Sequence, residues 1–289
     1  VAAIFSQIKG FQPPDKTKAL DYEHKTLLGP LLRLPNNYCD SKIVNECLLS
    51  NIHNHVQQRN SKQPNFIKEL LDFYYARSLH QEALEMLYKL AHDEGTIEHS
   101  NEDDNKFDDF IKGPDLTIQY LRKLTDDNLY LVLKYSSWVI DQDKNAARPI
   151  FMNDSYECES YDNTKVLQFL CKKDQDLGIM YLEWLLFASD ISESLKKSKL
   201  YLQLETKLCL LYLKQLKNGK HQNDYYNKLL EILKTSQTFE PWLILKEMPT
   251  TQDKFLRLTI YIYKKLGEHE KSIDVLFNQL NDLDAAMEY

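Results

Sequence analysis

FIKELLDFYYARSLHQEALEMLYKL, residues 66–90, and FLRLTIYIYKKLGEHEKSIDVLFNQ, residues 255–279, align without a gap at an offset of 189 positions. Phe66, Tyr74, His80 and Leu87 recur as Phe255, Tyr263, His269 and Leu276, and like replaces like at Leu71/Ile260, Leu84/Ile273, Glu85/Asp274 and Tyr88/Phe277. Self-similarity of this kind marks a repeat architecture. Each copy reads as an apolar helix, a short turn and a second, amphipathic helix, a unit that cannot cover its own apolar face and must stack on neighbours. Gly267 in the second turn reaches the left-handed conformation cheaply, whereas Ser78 at the matching position does so only with strain. The second hairpin is therefore expected to turn more sharply and the first to be the looser.

The surrounding chain agrees with this reading. With 7 glycines and 9 prolines in 289 residues, it lacks the dense turn punctuation of an all-β sandwich or barrel. Runs of Leu, Lys, Glu, Gln and Tyr at helical spacing predict an all-α fold, an α-solenoid of stacked antiparallel helix pairs. Residues 1–25 form a weakly patterned lead-in, and 26–289 read as one continuous solenoid, with room for about seven helix pairs. Ser41 is the expected N-cap of the first long helix, and Gly113-Pro114-Asp115 opens another. Leu129 to Ile140 is apolar on nearly every side and should lie between layers. Helices are also expected over 164–171, 176–188, 195–216, 223–233, 241–247 and 253–266.

Charge is concentrated in one place. Of a net −7, all is accounted for between Asp93 and Asp115, where nine carboxylates face Lys106 and Lys112; the rest of the chain holds 34 charges of each sign. The stretch 93–113 has too little apolar surface to offset the entropy of ordering, so it reads as a mobile acidic insertion. The balanced body leaves no electrostatic footprint for nucleic acid. No run of 18 apolar residues is present to span a membrane. Five scattered cysteines suit reduced thiols in the cytosol. The start at Val1 suggests a piece of a longer protein.

Five stretches carry a resemblance: LLGPLLRLPNNYCD, LHQEALEML, GPDLTIQYLRKLTDDNLYLVLKYSSWVI, LGIMYLEWLL and LGEHEKSIDVLFNQLNDLDAAMEY. In this order, from Leu27 to Tyr289, the chain resembles the citron-homology and clathrin-heavy-chain-repeat family that supplies the Rab-linked subunit of the HOPS vacuolar tethering complex, with relatives in the CORVET tether and the TGF-β-receptor-associated protein. The resemblance implies a non-enzymatic scaffold arm that docks vesicles, late endosomes or autophagosomes to the vacuole or lysosome before SNARE-mediated fusion. It implies other tether subunits and a vacuolar Rab GTPase as partners, and peripheral association with the cytosolic face of the vacuolar or late-endosomal membrane. The family's β-propeller and zinc-binding end are not in this chain, the acidic insertion is longer than the family pattern, and Ser78 stands where the motif has glycine. A tetratricopeptide-like peptide-binding adaptor is the alternative.

No G-x-S-x-G, H-E-x-x-H or phosphate-cradling glycine loop occurs, so no catalytic residue, cofactor or metal ligand is assigned. Cys39, Cys47, His53 and His55 have the wrong spacing to converge on zinc from one helix. Asp103, Asp104, Asp108 and Asp109 are similar to aspartate-rich magnesium motifs, but they lie in a hydrophilic tract with no apolar side, and fit a solvated interaction or regulatory loop. Lysines outnumber acids between Leu195 and Lys234. If Lys207, Lys214, Lys217 and Lys228 share a face, they offer a surface to anionic lipid or an acidic partner. His80 and His269, at matching turn positions, read as structural.

Overall fold

The computed structural model describes residues 29–34, 39–57, 67–92, 113–152, 161–188, 199–219, 222–236, 238–250 and 252–289, and among these there is helix and no strand. The lead-in and, apart from Gly113, the acidic insertion expected at 93–113 lie outside the described residues. The chain divides into two units, Val1–Ile150 with Tyr156–Tyr161, and Phe151–Ser155 with Asp162–Tyr289. Within each, helices pack on their neighbours in sequence, the contact pattern of an α-solenoid.

Unit one contains α1 (Ser41–Gln57), α2 (Ile67–Ala76), α3 (His80–His92), α4 (Asp115–Leu121) and α5 (Leu129–Gln142). Asp40, not Ser41, caps α1: its carboxylate accepts the Lys42 N–H at 2.8 Å. On α2, Ile67, Leu70, Leu71, Phe73 and Tyr74 are buried, and Ala83, Leu84, Met86 and Leu87 of α3 meet them. A 3₁₀ turn at Asp126–Asn128 leads into α5. This helix is less enclosed than its composition suggests, because Tyr130 is 74% exposed and Lys134 is exposed beside it. Its buried ridge is Leu129, Val132, Tyr135, Ser136, Val139 and Ile140. A short helix, α6 (Ala147–Phe151), follows.

Unit two contains α7 (Asn163–Lys173), α8 (Gln175–Glu183), α9 (Lys199–Lys217), α10 (Gln222–Thr235), α11 (Pro241–Glu247), α12 (Asp253–Leu266), α13 (His269–Asp274) and α14 (Leu283–Glu288). Asp174 alone separates α7 from α8. In extended conformation it ends the first helix, and its side chain accepts the Asp176 N–H to start the second. So tight a connection presses the pair together: a Cβ on Gly178 would run into Cys171 Sγ, so a larger residue there requires the thiol or a helix to shift. Both α8 and α13 pass into π-helical turns, at Trp184–Ala188 and Val275–Gln279.

The two repeated hairpins turn alike. Ser78 has φ 54° and Gly267 φ 74°. In the first turn the Leu79 N–H donates to Tyr74 O at 2.9 Å and the Ser78 N–H to Tyr75 O at 3.1 Å; in the second, Glu268 N–H donates to Tyr263 O at 3.0 Å and Gly267 N–H to Lys264 O at 3.3 Å. These are the paired bonds of a Schellman ending. The expected difference in sharpness is absent, because Ser78 accepts the left-handed conformation and carries the strain in its backbone. Where the helices of each hairpin cross, Ala83 and its counterpart Ser272 are both fully buried, small enough for close approach.

Candidate partner-binding surfaces

Two sets of surface residues result from this packing, a lysine face on α9 and the open face of the last hairpin. On α9, Leu204, Leu208, Tyr212 and Leu216 point inward, together with the buried Glu205. Glu205 is held there by two hydroxyls, accepting from Ser236 Oγ at 2.8 Å and from Thr238 Oγ1. The outward stripe carries Lys207, Lys214 and Lys217, all exposed at helical spacing. Lys207 and Lys214 lie close enough to Cys171 of α7 to draw its thiol pKa down, against the stronger upward push of burial. Lys217 instead sits 3.5 Å from Glu247 of α11.

Lys228 is not on that stripe. It projects from α10 between Glu183, at 3.1 Å, and Asp224, at 3.2 Å. Partial burial disfavours its charge, but the hydrogen bonds to both carboxylates outweigh this, and its pKa is raised. Glu183 also accepts the Tyr212 hydroxyl at 2.6 Å. The amine is thus engaged in joining α8, α9 and α10. Of the four lysines singled out by sequence, the structure brings Lys207 and Lys214 together as an open pair, ties Lys217 at the helix end and turns Lys228 into an internal link. Asp103, Asp104, Asp108 and Asp109 lie outside the described residues. Cys39 is buried and Cys47 half-buried, and among the described residues no group of three or more His, Cys, Asp or Glu is placed to hold a metal ion. No described helix is long and apolar enough to cross a membrane.

The turn histidines have a role that spacing did not show. His80 Nδ1 lies 3.0 Å from the Tyr120 hydroxyl on α4, and His269 Nδ1 lies 3.0 Å from the Tyr289 hydroxyl after α14. Each histidine therefore fastens its hairpin to a third helix. The residue at the matching end of the first helix packs on the same tyrosine: the Tyr75 ring meets Tyr120 edge-on at 6.3 Å, and Lys264 Nζ sits 5.4 Å from the Tyr289 ring centre. Aligned on these tyrosines, DLTIQY (115–120) and DAAMEY (284–289) correspond at an offset of 169. The repeat is thus a three-helix unit, and the first copy holds 20 more residues than the second between hairpin and third helix, within one residue of the length of the acidic insertion expected at 93–113. The signal was present in the sequence as D-x-x-x-x-Y, but too short to recognise without the hydrogen bond.

The two hairpins differ in what covers them. Leu84 of α3 is fully buried, while Tyr88 is 42% exposed and meets the Trp138 ring of α5 at 5.8 Å and 81°. Their counterparts Ile273 and Phe277 are 43% and 51% exposed. In unit one a shallow groove of about 380 Å³ also opens beside Asn45, Tyr74, Glu82 and Glu85. Its rim is closed by the 2.5 Å bond from Tyr74 Oη to Asn45 Oδ1.

Comparison with known proteins gives the following similarities. Residues 18–140 match the family model of vacuolar sorting protein 39 domain 1. The chain is 30% identical to vacuolar morphogenesis protein 6 of Saccharomyces cerevisiae, covering 93% of this chain and 24% of that protein. It is 29% identical to the protein of the same name from Schizosaccharomyces pombe, covering 91% and 27%, and 28% identical to the human Vam6/Vps39-like protein, covering 99% and 31%. The chain thus spans about a quarter to a third of the length of these curated relatives. No solved structure matches it.

Proposed function

We propose that the chain serves as a non-enzymatic scaffold segment of a HOPS-type vacuolar tether, because residues 18–140 match the vacuolar sorting protein 39 domain 1 family and nearly the whole chain is related to the Vam6/Vps39 proteins. The observation that carries this reading is the relationship itself, which runs through both units and is not confined to one motif. The geometry supports it physically. Within each unit, stacked helix pairs hold their surfaces by burying one helix face against the next. A tether needs that property, since its work is to hold one membrane-bound module at a distance from another. The stacked pairs would run on as one arm, with tether subunits and a vacuolar Rab GTPase as partners of the longer protein, on the cytosolic face of the vacuole or late endosome. Lys207 and Lys214 would meet an acidic surface of a partner subunit or anionic lipid.

A pull-down of the chain against purified tether subunits and a nucleotide-loaded vacuolar Rab tests the proposal. Retention of at least one core subunit is expected, with loss of part of that retention in a Lys207→Glu/Lys214→Glu variant. Retention of no subunit, while the chain remains folded by circular dichroism, would refute the scaffold reading. Full retention by the charge-reversed variant would refute the role of the lysine pair alone.

A further inference from the structure

One face of unit two, inside the stack and away from its last hairpin, combines positive charge with exposed apolar surface. The Glu240 N–H donates to Thr206 Oγ1 at 2.9 Å, and Lys217 at the end of α9 sits 3.5 Å from Glu247 at the end of α11. The two helices therefore lie side by side and run in the same direction. Lys207, Lys214 and Lys217 line the outer side of α9, whose one carboxylate, Glu205, is buried inward. On α11, Ile244 is fully buried, while Trp242 is 63% and Leu243 46% exposed. Leu243 lies one turn before Glu247 on the same side, so it borders the lysine stripe, and Trp242 lies one turn before the exposed Lys246. The chain's other two tryptophans, Trp138 and Trp184, are half-buried against tyrosine rings.

Charge and the exposed indole narrow the occupant. Four lysines stand here with two carboxylates, of which Glu247 is engaged by Lys217 and Glu240 is half-buried at the start of α11. Among the described residues, Lys207, Lys214 and Lys246 have no ion pair. An acidic protein would need carboxylates in register with these lysines, whereas an anionic bilayer offers negative charge under every point of the face. The apolar pair favours the bilayer. Tryptophan, with an apolar body and a polar N–H, settles where headgroups meet acyl chains, and an adjacent leucine adds apolar area that an acidic protein surface would leave in water.

We propose that Trp242 and Leu243 insert at the headgroup level of an anionic bilayer while Lys207, Lys214 and Lys246 hold its negative surface. This names the ligand of the lysine pair, and it rests on the scaffold reading only for the membrane that the chain would meet.

The test is flotation of the full chain with vesicles of phosphatidylcholine alone or with about 30% phosphatidylserine. A lysine at an anionic surface is worth about fivefold in binding, so three should favour the phosphatidylserine vesicles by about a hundredfold at low salt, an advantage mostly lost at about 500 mM salt. A Trp242→Ser/Leu243→Ser variant should bind about tenfold or more weakly and still retain tether subunits as the parent chain does. Both side chains are exposed, so the variant keeps its fold, checked by circular dichroism. A Tyr130→Ser control, which removes a 74% exposed aromatic from unit one, should bind vesicles as the parent does. In a Trp138→Phe/Trp184→Phe background Trp242 is the one tryptophan left, and its emission should move to shorter wavelength on these vesicles and be quenched by brominated acyl chains. No preference for phosphatidylserine, unchanged binding by the double serine variant, equal loss in the Tyr130 control, or unmoved Trp242 emission would each overturn the proposal. So would a double serine variant that loses subunit retention but keeps vesicle binding, since that outcome assigns the face to a partner protein. Flotation and subunit retention are separate readouts, so the lipid proposal and the scaffold reading fail independently.

Discussion

Replacing Gly178 by alanine should destabilise unit two, although the same change in a free helix would stabilise it. Alanine is favoured over glycine by about 1 kcal/mol in a helix interior. Against this, the new Cβ would stand 2.4 Å from Cys171 Sγ and 3.5 Å from Cys171 Cα and Cβ. Only the sulfur clashes, and restoring ordinary contact requires about 1 Å of retreat. Cysteine has a single rotor, and one of its three wells is obstructed by the preceding helical turn. Either the thiol leaves its rotamer or α7 and α8 part across a one-residue connection. Overpacking of this kind costs about 1–3 kcal/mol, so the net loss should be on the order of 1 kcal/mol. In a Cys171→Ala background the clash is gone, and Gly178→Ala should become neutral or stabilising by up to about 1 kcal/mol. Urea unfolding in a Trp138→Phe background leaves Trp184 and Trp242 as reporters, both in unit two. Equal losses with and without the Cys171→Ala change would show that the sulfur is not the cause, and unchanged stability of the single variant would show that the helices are not so tightly apposed.

Three further expectations follow from the turns and the buried polar groups. Ser78→Gly should stabilise unit one by about 0.5–1 kcal/mol by relieving a left-handed serine, and Gly267→Ser should cost unit two a similar amount, both read by thermal unfolding. Burial lowers the His80 pKa, with Glu82 opposing in part, so the fold favours the neutral ring. Its contribution is fully present above the unfolded value of about 6.5 and is lost as pH falls through the lowered folded value. Unit one should weaken over that acid window, and His80→Gln should flatten the slope; an unchanged slope would exclude His80 as its source. Glu205→Ala should cost about 1–3 kcal/mol by leaving the Ser236 and Thr238 hydroxyls without their acceptor, with Glu205→Gln costing less. Equal losses in urea for the two variants would refute an acceptor role.

Much of the architecture was legible because its causes are local. Apolar spacing placed Pro241–Glu247 and Asp253–Leu266 to the residue, with a proline opening one and a left-handed glycine closing the other. Gapless alignment located both hairpins, and the backbone bonds of their turns are the same. The α1 cap slipped by one position because Asp40 and Ser41 are both good acceptors, and only geometry selects between neighbours. The difference expected between the turns failed because residue preference measures the cost of a conformation, while the packed hairpin decides whether that cost is met.

What the sequence by itself determined is the helical class, the doubled hairpin and the confinement of net charge to one stretch, all properties of residues near one another along the chain. Tertiary structure alone decided which lysines stay open, since Lys228 meets Glu183 from 45 positions away while Lys207 meets no such partner among the described residues. It also joined each turn histidine to a tyrosine at separations of 40 and 20 residues, and left Ile273 exposed where Leu84 is fully buried. The physical reason is range: periodicity and turn preference act within a few residues, whereas the fate of a charge or an apolar side chain depends on what the packed chain brings within about 4 Å of it.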